Sequence, residues 1–121
     1  MKPAQVVVKF LNGRSLKGRI EQFDPQTGKV VLESSEGRTE AVLADLKAIF
    51  FLREPDTLPV KEEALKPGGT RVKILFADGE ELAGYTYALK LQEAGFFLFP
   101  ISKTDNNERI YVIRKNAIQI S

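Results

Sequence analysis

The side chains that most often carry out chemistry are missing from this chain, which has no Cys and no His. That removes thiolate nucleophiles, disulfides, the usual zinc ligands and the commonest general base. Carboxylates, Lys, Ser and Tyr remain, and their spacing does not converge. Glu80-Glu81 and Glu62-Glu63 are adjacent carboxylates. Consecutive residues on a strand face opposite sides, and the second pair falls in a linker, so neither makes an acid–base dyad. Pro67-Gly68-Gly69 precedes a strand rather than a helix and reads as a hinge, not as a loop that cradles phosphate. The expectation is a protein that is not an enzyme, with no cofactor and no metal.

Two groups of residues are suited to binding instead. Asn106, Asn107, Arg109, Arg114 and Lys115 supply amide donors and cations of the kind that hold phosphate. The plainer reading of Arg114-Lys115-Asn116 is a polar turn before the last strand, with the Asn in an unusual backbone angle. The second group is aromatic. If Leu82, Gly84 and Thr86 point inward, Tyr85 and Tyr87 point outward, where the first half of the chain carries Arg19 and Glu21. With Phe96 and Leu98 inward, Phe97 and Phe99 also face out. Neighbouring strands set such rings side by side, so Tyr85, Tyr87, Phe97 and Phe99 form one patch that something must cover. The cover is either the rest of the chain, which makes the rings interdomain core, or a second copy or partner protein.

These residues sit in a chain that reads as one unit written twice. Val8-Lys9-Phe10-Leu11-Asn12-Gly13-Arg14-Ser15-Leu16-Lys17-Gly18 returns about 66 positions later as Ile74-Leu75-Phe76-Ala77-Asp78-Gly79-Glu80-Glu81-Leu82-Ala83-Gly84. The offset grows to about 71 at Val42, Leu46 and Ile49, which fall on Ile113, Ala117 and Ile120. The extra residues fit one loop between Ser102 and Arg109. Each half reads as five short strands. Asn12-Gly13 closes the first hairpin as a pair tolerant of positive φ, and Gly18 and Gly84 sit mid-strand where a sharp bend or close backbone approach needs no side chain. Ala44-Asp45-Leu46 is a one-turn break before the fifth strand. Val60 to Lys66 has the pattern of one or two helical turns inside the linker.

Units of roughly 55 residues bury little core alone, so the halves are expected to lean on each other. At 43% hydrophobic and 28% charged, the composition is that of a globular domain, and a net charge of +2 gives no argument for nucleic acid. No signal peptide or apolar span stands out, which places the protein in the cytoplasm as an expectation.

Five strands, a glycine-bent second strand and a single-turn break before the fifth resemble the Sm-like barrel. Phe10 to Asp24 is similar to the first Sm motif and Ile113 to Ile120 to the second. That resemblance implies two tandem, strongly bent all-β barrels, at 1–54 and 71–121, joined by a linker at 55–70. It also implies edge strands, the fourth and fifth, able to extend a sheet into another copy. The RNA-gripping residues of the Sm family do not carry over. Asp24 is followed by Pro25-Gln26-Thr27-Gly28, without the family's Asn, and Arg114 is followed by Lys115 where the family has Gly. Gly95-Phe96-Phe97-Leu98-Phe99-Pro100 and Asn106-Asn107-Glu108-Arg109-Ile110-Tyr111-Val112 resemble, in addition, an uncharacterised bacterial domain family. The expectation is a binding or adaptor module acting through protein contacts or self-association. RNA binding through the five basic and amide residues is the alternative.

Overall fold

The computed structural model describes residues 5–52, 69–86, 95–100 and 107–121. The linker with its Val60–Lys66 segment, Tyr87 and Asn106 lie outside the described residues. The protein is all-β, as its alternating sequence predicts. The first half forms β1 (Gln5–Phe10), β2 (Ser15–Asp24), β3 (Lys29–Ser34), β4 (Gly37–Val42) and β5 (Leu46–Leu52). The second forms β6 (Thr70–Phe76), β7 (Glu81–Thr86), β8 (Gly95–Pro100), β9 (Asn107–Ile113) and β10 (Ala117–Ile120). A single 3-10 turn precedes each fifth strand, at Leu43–Asp45 and at Arg114–Asn116.

All ten strands lie in one antiparallel sheet, in the order β10-β6-β7-β8-β9-β5-β1-β2-β3-β4. Two barrels were expected, and the described strands form one open array in their place. Each half does supply five strands. No described pairing closes either half on itself, because β9 pairs instead with β5, with Ala48 opposite Val112 and Phe50 opposite Ile110.

Pairings in the two halves recur at the sequence offset. Val6 stands opposite Gly18 and Val72 opposite Gly84. Lys29 faces Val42, as Gly95 faces Ile113. Even the irregularity recurs: β5 skips Lys47 in its pairing with β1, and β10 skips Ile118 in its pairing with β6. The mid-strand glycines have a common cause. A Cβ on Gly18 would lie 2.7 Å from the carbonyl oxygen of Glu33, and one on Gly84 would collide with that of Phe99. Neighbouring backbone therefore occupies the space a side chain needs.

The first hairpin differs in detail from the expected two-residue turn. Phe10 N–H donates to the Arg14 carbonyl at 2.8 Å, and only Gly13, at φ 90°, takes the left-handed conformation. Asn12 instead accepts from the Arg14 N–H at 2.9 Å, and Asp78 accepts from Glu80 N–H at 3.0 Å in the matching turn. This is the three-residue loop with a glycine bulge, in which the Asx side chain caps the turn rather than adopting positive φ itself.

Apolar side chains gather in two cores. One joins Val6, Val8, Val30, Leu32, Leu46, Ile49 and Phe51 with Tyr111 and Ile113 from the second half. The other joins Val72, Ile74, Phe76, Phe96 and Leu98 with Ala48 and Phe50 from the first. Alternate residues of β5 and β9 thus enter opposite cores, which is why both strands are apolar on both faces. The join between halves is the centre of the fold.

Candidate protein-contact surfaces

The aromatic group divides. Tyr85 and Phe99 stand directly opposite on β7 and β8, both half-buried. Phe97 does not belong with them. It packs against the first core, with ring centroids 5.8 Å from Phe51 and 5.1 Å from Tyr111, and the Arg109 guanidinium lies 5.0 Å from its centroid. Phe97 is therefore partly covered at the join, by Phe51 from the first half and by Tyr111 and Arg109 from its own.

The basic and amide group divides as well. Arg109 caps the rings of Phe51 and Phe97, at 4.7 Å and 5.0 Å, so its charge sits on the aromatic faces of the join. Asn107 begins β9. Arg114 and Lys115 are displaced from both, at a cleft of about 370 Å³ walled by Thr27, Gly28, Val42, Leu43, Ala44 and Ile113. No acidic side chain is among the described residues that line this cleft. Asn116 is not the left-handed residue of a polar turn, since no residue other than glycine has positive φ among the described ones. Its side-chain amide donates to the carbonyls of Ala44 at 3.0 Å and Leu46 at 2.7 Å, pinning the second 3-10 turn to the first.

A second pin crosses the join. Lys47 is 6% exposed, and its ammonium reaches Asp78 Oδ2 at 2.7 Å and Glu80 Oε1 at 2.8 Å in the β6–β7 turn, over the face of Phe76. Burial pulls its pKa down, but hydrogen bonds to Asp78 and Glu80 outweigh that and hold the ammonium above the ordinary lysine value. The hydrogen bond from Lys47, with help from the Glu80 N–H, holds Asp78 below the usual carboxylate range. Lys47, Asp78, Glu80 and Asn116 were not among the sequence-derived candidates. The readable signal was one lysine inside the otherwise apolar run Leu46-Lys47-Ala48-Ile49-Phe50-Phe51.

Among the described residues two strands have a neighbour on one side only, and these are the ends of the sheet. β4 is held by β3 and β10 by β6. Leu43 N–H donates inward to Gly28 O at 2.8 Å, so the alternation of the ladder turns the main-chain groups of Val42 and Glu40 outward. Ser121 exchanges both bonds with Lys73, which turns those of Ile120 outward. Both edges carry exposed apolar side chains, Val42 at 47% and Ile118 at 62%.

A family model matches residues 2–121, and that match covers almost the whole chain. The chain belongs to the DUF6982 family, a family of unknown function. The resemblance to an uncharacterised domain family is thereby placed, and the Sm-like resemblance gains nothing from the match. No curated protein and no solved structure matches the chain. Among the described residues, no helix is long and apolar enough to cross a membrane.

Proposed function

We propose that this DUF6982 protein is a non-enzymatic binding module that works through protein contacts at the two open edges of its sheet. The observation that carries this reading is that, among the described residues, outward-pointing main-chain groups stand beside exposed apolar side chains on both β4 and β10. Such an edge is a template for strand addition, in which backbone hydrogen bonds give affinity and flanking side chains give specificity. Arg38 and Glu40 on β4 are engaged sideways, with Glu21 at 3.0 Å and Lys29 at 3.2 Å, and neither occupies the outward backbone. The tandem Sm-like architecture belongs to this proposal too. Its support is the five-strand halves, the glycine approach in each second strand and the 3-10 turn before each fifth.

Affinity capture with tagged protein tests the reading. A protein, an untagged copy of this chain included, is retained by the native sequence and released by Glu40→Pro. That change removes one outward N–H at an edge position where proline is tolerated. Equal retention by the two forms would overturn the proposal.

RNA binding is the second reading, favoured by the cleft at which Arg114 and Lys115 stand side by side. It predicts binding of mixed single-stranded RNA that weakens steeply with salt and is lost when Arg114 and Lys115 are both changed to Ala. Absence of binding at low salt removes it.

A further inference from the structure

The duplication has left two equivalent turns with different chemistry on the walls of one cleft. At the offset of about 71, Val42-Leu43-Ala44 corresponds to Ile113-Arg114-Lys115. Each triplet is the last residue of a fourth strand and the first two of the 3-10 turn that follows. Both line the same cleft of about 370 Å³. The first triplet brings aliphatic side chains alone, and the second brings two cations. We propose that this cleft binds a small aliphatic carboxylate, its hydrocarbon body against Val42-Leu43-Ala44 and its acid head at Arg114 and Lys115. The proposal goes beyond the protein-contact reading and does not depend on it.

Each part of the ligand answers to something in the wall. Among the described residues that line the cleft, the charged ones are Arg114 and Lys115, and they are consecutive. A guanidinium and an ammonium side by side suit a carboxylate, which accepts hydrogen bonds from both, far better than a neutral group. Val42 is an aliphatic side chain left 47% exposed on the other wall, while Leu43 and Ile113 are buried. Covering Val42 with a hydrocarbon body removes apolar surface from water, which a bare ion cannot do. No aromatic ring is among the described lining residues, so these walls offer a nucleic-acid base no stacking surface.

The walls are fixed before any ligand arrives. Asn116 Nδ2 donates to the carbonyls of Ala44 at 3.0 Å and Leu46 at 2.7 Å, which ties the cationic turn to the aliphatic one. Leu43 N–H donates to Gly28 O at 2.8 Å, which holds the aliphatic turn against the loop between β2 and β3. A preformed cleft loses little in ordering itself around a ligand. Its volume lies within the range of small-molecule sites, about 300 to 1,000 Å³, whose walls are mostly apolar with a few placed polar groups.

Octanoate is the probe, titrated at low salt into the full chain and followed by the nuclear magnetic resonance of its backbone amides. Saturable shifts are expected at Gly28, at 42–44 and at 113–115. Acetate keeps the head and octanol keeps the body, and each is expected to bind more weakly than octanoate by about tenfold or more. Lys115→Glu, at an exposed position, reverses one charge and is expected to weaken octanoate by about tenfold or more. Val42→Asp sets a carboxylate on the aliphatic wall and is expected to do the same. It replaces Lys115→Glu if circular dichroism shows that variant unfolded. Octanoate that moves no cleft amide, or that fails to saturate, overturns the proposal. Octanol binding as tightly as octanoate also overturns it, because the cations would then play no part. Acetate binding as tightly overturns it too, because the aliphatic wall would then play none. Mixed single-stranded RNA that moves these amides where octanoate does not overturns it in favour of the second reading of Arg114 and Lys115. None of these results bears on capture through β4, so the protein-contact reading stands or falls separately.

Discussion

Lys47 is a charged side chain in the middle of a strand that is apolar on both faces, and two carboxylates justify its burial. Replacing it with Met keeps the contact over Phe76 and deletes the ion pairs, which should cost about 1 to 2 kcal/mol since Asp78 and Glu80 remain partly in water. The cost has a pH signature with two limbs. Lys47 has a raised folded pKa, so its stabilisation is complete below the ordinary lysine value of about 10.4 and is lost as pH rises through the folded value. Asp78 has a lowered one, so its share is present above about 3.9 and is lost as pH falls through the folded value. Urea midpoints measured across pH should be flat near neutrality and fall at both ends in the native chain, with both falls reduced in Lys47→Met. Gly84 is the opposite kind of position, where any added atom is excluded. Gly84→Ala forces the β8 backbone at Phe99 to retreat and should destabilise by about 1 to 3 kcal/mol in the same measurement.

At the scale of the elements, β8 presents two surfaces that alternation alone does not separate. Phe97 and Phe99 share one side of the strand, yet Phe97 packs with Phe51 and Tyr111 while Phe99 stands opposite Tyr85 on β7. Phe97→Ser should lower the thermal midpoint through a loss of about 2 to 3 kcal/mol, because it empties a site among rings. The strands were legible from the sequence because their signals are local: period-two alternation, the Asn12-Gly13 and Asp78-Gly79 turns, and the one-turn break before Leu46 and Ala117. The 66-position echo also gave the correspondence between halves. The use of β5 and β9 was not legible. Leu46 to Leu52 reads as one buried strand, and nothing local says that Ile49 and Phe51 enter one core while Ala48 and Phe50 enter the other. The same blindness hid Asn116, whose partners Ala44 and Leu46 lie far away in the chain, and it merged Phe97 with the outward rings.

For the whole molecule, the β5–β9 join decides whether the two halves are separable. Tyr111 and Ile113 complete the first core, and Ala48 and Phe50 complete the second, so neither core is whole without the other half. Two independent barrels would unfold in two steps, each with its own midpoint. A chain whose cores share their central strands has no such intermediate, because opening either half strips apolar surface from the other. Urea unfolding followed by far-ultraviolet circular dichroism, which reports the entire sheet, should therefore coincide with unfolding followed by tyrosine fluorescence, to which the buried Tyr111 contributes at the join. Val112→Ala, fully buried in β9, should shift both curves together by about 1 to 2 kcal/mol. Two separated transitions, only one of them moved by Val112→Ala, would mean that the join is a contact between finished domains. In that case the strand pairing at its centre would add little to either core.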